Sequence, residues 1–319
     1  MFRYALVVAS CAALAPTEKF EEWRRSFTHE PKSYAAALAA FTAADAFIQA
    51  HNARNLSYTV GHNQFSHLTF EEWAARLAPL PDAAKGGVPR SVHNATVGGP
   101  VLDVDWAARG AVSEVKDQGM CQSCYSFSAT GAIEGAAFIK TKTLPDLSEQ
   151  MIVSCDTLDK GCGTGLMDNA FKWIYSVGGL CAEADYPYTS GGGAVAPCEP
   201  TKCTPMPNTR PTDEVDVEPD EESLASAVLQ QPVSIGMAAG CEAFMRYKEG
   251  IFETDCGVDV NHAMLAVGFG YDLLTNFWKV KNSFGTAWGE QGYIRMKRSA
   301  RADGTGICSI ATRASYPTL

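Results

Sequence analysis

The last two thirds of this 319-residue sequence are poor in histidine. Of the six histidines, five lie before residue 98 and only His262 lies after it. Any step in this part of the chain that needs an imidazole near neutral pH must therefore use His262. A solitary histidine beside a strand is usually structural, so His262 acquires a chemical role only if a nucleophile is found for it.

The sequence also lacks long apolar runs. After the N-terminus, no apolar run approaches the roughly 20 residues that a transmembrane helix needs. The stretch Ala5 to Ala15 is apolar, follows a short basic start and is too short to span a bilayer. It is typical of a secretory signal peptide, so we expect residues 1–15 to be removed. The alternative is an ordinary N-terminal helix. We expect no membrane partner.

Positive charge is scarce in the C-terminal part. The formal net charge is −10, and residues 98–319 carry 17 basic against 28 acidic side chains. Such a balance disfavours binding to nucleic acid, so we expect no nucleic-acid partner. With 46% hydrophobic residues the chain can form packed domains, and we expect a monomer.

Cysteine, by contrast, is abundant. Eleven cysteines are too many for a typical cytosolic protein of this size, unless they bind metal. The sequons that begin at Asn55 and Asn94 agree with an exposed, glycosylated extension. The sequence therefore predicts the secretory pathway, ending in a lysosome- or vacuole-like compartment or outside the cell.

The order of patterns predicts an α+β protein. Residues 17–80 are helical in pattern, and a Gly- and Pro-rich linker runs from Lys85 to Pro100. Residues 101–205 contain three helical segments, whereas residues 206–319 contain strand-like runs such as Val233–Met237. We expect a helical lobe and a β lobe with a functional cleft between them.

Cys124 is the candidate nucleophile. It opens a helix of small apolar residues that extends to Lys140. The first turn of a helix carries unpaired N–H groups and a partial positive charge, which favour a thiolate. Because Cys121 lies three residues earlier, a redox or zinc Cys-x-x-Cys pair is the alternative at this point.

A thiolate nucleophile needs a base, and the base needs a group that orients it. His262 begins an apolar strand and is the only histidine available in this part of the chain. Asn282 follows a strand twenty residues later, and its amide could accept from the imidazole. Gln118 precedes the Cys124 helix, where its side-chain amide and the Cys124 N–H could form an oxyanion hole.

These motifs resemble the papain family of cysteine proteases, on the cathepsin L-like side, with an N-terminal inhibitory prodomain. The resemblance rests on Gln118-Gly-x-Cys-x-Ser-Cys124, Val260-Asn-His262-Ala and Asn282-Ser-x-Gly-x-x-Trp288-Gly, in order and spacing. Gly61-x-Asn63-x-Phe65 resembles the prodomain signature of this branch. The resemblance implies a papain-like two-lobe fold, with a helical lobe and a β-barrel-like lobe, preceded by an α-helical prodomain. We divide the chain into a signal peptide (1–15), a prodomain (16–97) and a peptidase domain (98–319), with activating cleavage near residues 95–101.

The resemblance also implies a disulfide framework. It pairs Cys121 with Cys162, which leaves little support for the Cys-x-x-Cys alternative, and it pairs Cys256 with Cys308. Cys155 would pair with Cys198 or Cys203, and Cys181 would take the other one of those two. Cys241 is the candidate for the cysteine left over.

The substrate-binding residues follow from the same resemblance. Gly165 would bond the substrate backbone, and Trp288 lies in the matching Trp-Gly motif. The pocket S2, which receives the side chain two residues before the cleaved bond (P2), maps to six positions: Leu166, Met167, Gly236, Val260, Ala263 and, at its base, Arg313. A cation at the base of S2 should attract an acidic or hydrogen-bonding P2 side chain unless it turns to solvent.

The leading interpretation is a cysteine endopeptidase made as a zymogen, with polypeptide substrates, its own prodomain as inhibitor, and no cofactor or metal. The alternative is a catalytically silent papain-like binding or inhibitory protein. Another Cys-His acyl transferase, such as a transglutaminase, fits less well, because the third group is Asn282 rather than an aspartate and because a prodomain is present.

Overall fold

The computed structural model describes residues 14–27, 33–81, 90–95, 103–272, 275–298 and 303–319. The helices within these ranges are α1 (Pro16–Ser26), α2 (Tyr34–Asn52), α3 (Phe70–Ala74), α4 (Cys124–Thr141), α5 (Glu149–Cys155), α6 (Met167–Val177), α7 (Glu221–Gln230) and α8 (Glu242–Met245). The strands are β1 (Tyr58–Val60), β2 (Arg90–Val92), β3 (Val104–Asp105), β4 (Asp213–Val217), β5 (Val233–Met237), β6 (Tyr247–Phe252), β7 (His262–Asp272), β8 (Thr275–Lys281), β9 (Tyr293–Lys297) and β10 (Arg313–Thr318).

The N-terminal segment is helical, as the sequence predicts. Helices α1 and α2 pack through a small aromatic core in which the Phe20 ring lies 5.4 Å from that of Phe41 and 5.6 Å from that of Trp23. Helix α3 begins with a capping box, since the Thr69 side chain accepts from the Glu72 N–H at 3.2 Å and Glu72 returns to the Thr69 N–H at 2.9 Å. None of the helices in the described ranges is long and apolar enough to cross a membrane.

The helical lobe is built around α4, which is buried along most of its length. Its small residues allow this close packing. A methyl group added at Gly131 would lie 2.7 Å from Cδ2 of Leu265 in β7. Helix α5 begins where the sequence places it, because the Ser148 side chain accepts from the Met151 N–H at 3.0 Å. These contacts place the first turn of α4 at the boundary with the β lobe.

The β lobe is one sheet with the strand order β1-β6-β9-β8-β7-β5-β10-β4-β2, with β3 pairing beside β7. The segments predicted as β5, β7, β8 and β9 are strands at the expected positions. The two end strands, β1 and β2, both belong to the N-terminal segment. The N-terminal segment therefore contributes a strand to each edge of the sheet, where unpaired N–H and C=O groups would otherwise be exposed.

Four disulfides lie within the described residues: Cys121–Cys162, Cys155–Cys198, Cys181–Cys203 and Cys241–Cys256. The first is the pair that the resemblance implies, and the next two choose between the alternatives left open for Cys155 and Cys181.

The pairing of Cys256 with Cys308 is wrong in this structure, because Cys256 is joined to Cys241. Three cysteines converge here. Cys241 precedes α8 with its Cα 5.2 Å from that of Cys256, and the Cys308 sulfur accepts from the Cys256 N–H at 3.1 Å. The family resemblance implies one pair of cysteines at this place. It cannot decide which two of the three nearby cysteines form the disulfide.

Candidate active site

Cys124 is the first residue of α4 and follows the Cys121–Cys162 disulfide. It belongs to none of the four disulfides, and its side chain lies in the cleft between the lobes with 7% of its surface exposed. Burial raises the pKa of the Cys124 thiol to about 11, although the N–H groups of Ala263, Tyr125 and Cys124 itself act in the opposite direction. The position at the start of α4 favours a thiolate, but in this structure burial has the larger effect on the pKa of Cys124.

His262 and Asn282 are brought together by the pairing of β7 with β8. His262 begins β7, Asn282 follows the last residue of β8, and the two strands are antiparallel. The His262 Nε2 atom lies 2.8 Å from Oδ1 of Asn282. The same oxygen accepts from the Ser283 N–H at 2.8 Å, so it is the acceptor to which the imidazole donates through Nε2, and Nδ1 takes no part in this bond.

The hydrogen bond between His262 and Asn282 is buried. His262 is 1% exposed and Asn282 is 3% exposed. The Phe284 ring stacks on the imidazole at 4.8 Å. Burial lowers the pKa of His262 to about 4, with the bond to Asn282 opposing that shift. His262 is therefore neutral at pH 5–8 while the cleft is covered, like the Cys124 thiol.

Trp288 lies behind Phe284 rather than at the surface of the cleft. Its ring is fully buried and lies 5.8 Å from the Phe284 ring, edge to face. Its Nε1–H donates to the Phe244 carbonyl at 3.1 Å. In this state Trp288 supports the aromatic wall beside His262 and has no open face toward a substrate.

Gln118 is buried next to the first turn of α4. Its Nε2 donates to the Cys121 carbonyl at 2.8 Å, and its Oε1 accepts from the Ser283 hydroxyl at 2.6 Å. One N–H of the amide remains for an oxyanion. Sequence reasoning did not identify Ser283, whose only signal is that it follows Asn282. The hydroxyl fixes which end of the Gln118 amide is the donor.

The residues mapped to substrate binding surround the same cleft. Leu166, Met167 and Ala263 are buried in one hydrophobic cluster with Cys124, and Val260 packs against it. Gly165 packs under Tyr125, because a methyl group added there would lie 2.7 Å from the Tyr125 ring. Gly236 and Arg313 face each other across paired strands β5 and β10. The structure thus gathers four of the mapped residues around the same buried cluster as Cys124 and pairs Gly236 with Arg313, whereas Trp288 lies behind Phe284.

The segment from Ala75 to Pro81 lies along this cleft. The Ala75 carbonyl accepts from Gln122 at 3.3 Å, and the Pro79 carbonyl accepts from the Thr164 hydroxyl at 3.4 Å. The Leu80 N–H donates to the Val260 carbonyl at 3.3 Å. Leu80 joins the buried cluster that contains Cys124. The N-terminal segment therefore occupies the place of a substrate.

An aromatic contact holds this segment next to the cleft. Phe65 meets Phe284 edge to face at 5.3 Å, and Trp73 meets the same ring at 6.3 Å. Asn63 fixes the start of the loop that carries Phe65, since its Nδ2 donates to the Met245 carbonyl at 2.8 Å. The ring that stacks on His262 is thus also the ring on which the segment rests.

Comparisons with known proteins agree with this geometry. Residues 101–318 match the papain family cysteine protease model, and residues 20–73 match the cathepsin propeptide inhibitor domain. The probable cysteine protease RD21B of Arabidopsis thaliana is 42% identical over 85% of this chain. The chain spans 58% of the length of that relative. The germination-specific cysteine protease 1 of the same plant is 42% identical, with 85% of this chain and 74% of the relative covered.

Solved structures of precursors share the whole architecture. The recombinant stem bromelain precursor is 34% identical, with a TM-score of 0.86 over 95% of this chain and 99% of that one. A digestive procathepsin L 3 from the larval midgut of Tenebrio molitor is 33% identical, with a TM-score of 0.84 over 96% of this chain and all of that one. The two-lobe fold with a prodomain is confirmed, and the chain belongs to the papain family of cysteine proteases, with a cathepsin propeptide inhibitor domain fused before its peptidase domain.

Proposed function

We propose that the chain is the zymogen of a cysteine endopeptidase in which Cys124 is the nucleophile. The carrying observation is the convergence of three groups from distant parts of the chain. Cys124 opens α4, and its sulfur accepts from the N–H of Ala263, the residue after His262. Asn282 holds Nε2 of His262 at 2.8 Å, which leaves Nδ1 as the ring nitrogen proposed to serve the thiol. A thiol, an imidazole and an orienting amide in this order are sufficient for acyl transfer through a thioester.

The reaction begins when the Cys124 thiolate attacks the carbonyl carbon of a peptide bond while His262 is an imidazolium. The negative charge that develops on the carbonyl oxygen is bound by the free N–H of the Gln118 amide and the Cys124 N–H. His262 gives its Nδ1 proton to the leaving amine, and the C–N bond breaks. His262 then takes a proton from water, which attacks the thioester and releases the second product.

The prodomain keeps this site silent in two ways. Leu80 and its neighbours fill the cleft, so no peptide can reach Cys124. The covered site also favours a neutral thiol and a neutral imidazole, with a Cys124 pKa of about 11 and a His262 pKa of about 4. Removal of the prodomain admits water and substrate, and the charged pair then becomes accessible.

The limits of the processed enzyme are part of this proposal. The family matches at 20–73 and 101–318 support a prodomain over 16–97 and a peptidase domain over 98–319. The signal peptide over residues 1–15 is proposed from its short, apolar sequence. The expected activation cleavage near residues 95–101 falls mainly on residues outside the described ranges, whereas Ala15, the expected last residue of the signal peptide, directly precedes α1. Four disulfides favour an oxidising route through the secretory pathway, ending in a vacuole- or lysosome-like compartment or outside the cell.

The experiment compares the full chain with Cys124→Ala after incubation at acid pH. We expect the parent chain to be cleaved near residues 95–101, to hydrolyse peptides and to be labelled by an epoxide inhibitor. Cys124→Ala should show none of these. Labelling of Cys124→Ala would overturn the nucleophile assignment. A correctly processed parent without turnover would instead favour the catalytically silent alternative.

A further inference from the structure

Three carboxylates meet on the side of the β lobe next to S2. Asp168 lies at the start of α6, and Glu214 and Asp216 lie two residues apart on one face of β4. One oxygen from each lies within 4.8 Å of the others. Three oxygens this close to one another can converge on a single cation.

The second observation is the state of Glu214. Its side chain is completely buried, and neither carboxylate oxygen has a hydrogen-bond donor among the described residues. Its nearest cations are Lys172, with Nζ at 3.7 Å, and Arg90, with Nε at 3.8 Å. A buried carboxylate without hydrogen bonds is costly unless a cation compensates it.

In the zymogen the prodomain supplies that cation. Arg90, in edge strand β2, bonds through Nε to Asp216 and places its Nη2 3.9 Å from Asp168. Its guanidinium therefore contacts all three carboxylates. Since Arg90 lies in the prodomain, activation as proposed above removes it and leaves three carboxylates with Lys172 as the one remaining cation paired with them in the described structure.

We propose that the Asp168–Glu214–Asp216 cluster is a calcium site of the mature enzyme, which the zymogen occupies with the Arg90 guanidinium. When all three carboxylates are ionised, they and the one lysine carry a charge of −2, which one divalent cation neutralises. Oxygen donors from carboxylates are the ligands that Ca²⁺ prefers. Several protein carboxylates in an irregular arrangement suit Ca²⁺ better than Mg²⁺, because Mg²⁺ demands near-ideal octahedral geometry and usually keeps several waters. The removal of Arg90 on activation rests on the proposed zymogen function, whereas the binding of Ca²⁺ to the emptied cluster does not.

The test empties the site without activation. In the full chain carrying Cys124→Ala, Arg90→Gln removes the guanidinium and leaves the prodomain in place. We expect this variant to bind one Ca²⁺ by titration calorimetry with a Kd on the order of 10⁻⁴–10⁻³ M, the range of extracellular modules. The Arg90 parent should bind at least tenfold more weakly. At ten times Kd the Tm should rise by about 3–6 °C.

Two further variants decide whether the cluster is responsible. Adding Asp168→Asn to the Arg90→Gln chain should abolish the Ca²⁺ response, while the new amide oxygen can still accept from the Ser315 hydroxyl, which lies 2.6 Å from the present carboxylate. Adding Glu249→Gln, an exposed carboxylate on β6, should leave the response unchanged. If Asp168→Asn fails to fold, as judged by circular dichroism without Ca²⁺, Asp216→Asn replaces it.

The proposal is overturned if neither Arg90→Gln nor the mature enzyme binds Ca²⁺, or if MgCl₂ and NaCl at equal ionic strength shift the Tm as much as CaCl₂. Binding that survives the loss of a cluster carboxylate also overturns it. These outcomes are separate from a failure of the proposed peptidase activity, because the titrated chain lacks the Cys124 thiol and its result depends on no turnover.

Discussion

Leu80 of the prodomain fills the space that Gly236 leaves open in the wall of S2. A methyl group added at Gly236 would lie 2.7 Å from Cδ1 of Leu80 and 2.9 Å from Cγ1 of Val260. The residue that opens the pocket therefore touches the inhibitor directly. Since Leu80 is an aliphatic side chain buried in this pocket, we expect leucine to be well accepted at P2.

We predict that Gly236→Ala weakens both the prodomain and leucine-containing substrates. Overpacking by one methyl group costs about 1–3 kcal/mol, which corresponds to a loss of roughly 5- to 150-fold. The inhibition constant of the isolated prodomain and kcat/KM for peptides with leucine at P2 should worsen together, and a peptide with alanine at P2 should be affected least. The control is Gly192→Ala, where an added methyl group meets no atom within 4 Å. Equal losses for leucine and alanine at P2 would contradict a role in S2.

The second specificity prediction concerns Arg313. Its Nη1 donates to the Pro81 carbonyl at 2.9 Å, so the guanidinium faces the prodomain in the cleft. Once that carbonyl leaves, an acidic P2 side chain can take its place. We expect the ratio of kcat/KM for a peptide with glutamate at P2 to that for a peptide with leucine at P2 to be higher in the parent enzyme than in Arg313→Met. Methionine keeps an unbranched side chain without the charge. A P2 panel that is the same for both enzymes would show that the side chain turns to solvent. Glutamate selectivity should also fall with added salt.

Ser283 is predicted to act by positioning Gln118. Its hydroxyl donates to Gln118 Oε1 at 2.6 Å and thereby fixes the amide so that one N–H bonds the Cys121 carbonyl and the other remains for an oxyanion. Loss of an oxyanion donor costs about 10²–10³ in kcat, so Gln118→Ala should fall in that range. Ser283→Ala should lower kcat by roughly fivefold with little change in KM, since a neutral hydrogen bond contributes about 1 kcal/mol.

A double variant separates positioning from a general structural defect. If Ser283 acts only through Gln118, Ser283→Ala should have almost no effect on kcat in the Gln118→Ala background. Losses that simply multiply would indicate that Ser283 supports the site in another way. Ser283→Thr, which keeps the hydroxyl, should restore most of the activity.

The sequence predicts candidate catalytic groups because each has a local pattern. Cys124 opens a helix of small residues, and His262 and Asn282 lie at strand ends with characteristic spacing. The contacts that require two distant partners were not predictable. Strand β1 lies in a three-residue stretch that the pattern shows only as a break, because its partner β6 follows about 190 residues later. The same limit applies to Ser283 and Gln118, and to the choice among Cys241, Cys256 and Cys308.

The covered active site gives a prediction about pH. The pKa of Cys124 is raised to about 11 by burial in the zymogen, so below that pH the thiol form dominates. The thiolate fraction, and with it the rate of alkylation by iodoacetamide, should rise about tenfold for each pH unit between pH 7 and 10. Poor access through the prodomain lowers the rate at every pH but leaves this slope unchanged. In the mature enzyme a thiolate paired with the His262 imidazolium should react rapidly across pH 5–8, with little dependence on pH.

The measurement is a pH series of alkylation rates on the intact zymogen and on the processed enzyme, read by intact mass spectrometry. The mass also shows that the zymogen stays uncleaved during labelling. Cys124→Ser, measured in parallel, gives the contribution of other thiols such as Cys308, which is subtracted. A zymogen rate that is already independent of pH below pH 8 would mean that the thiolate and imidazolium exist under the prodomain. Latency would then depend on blocked access alone, because the charge state of the Cys124–His262 pair would be the same before and after activation.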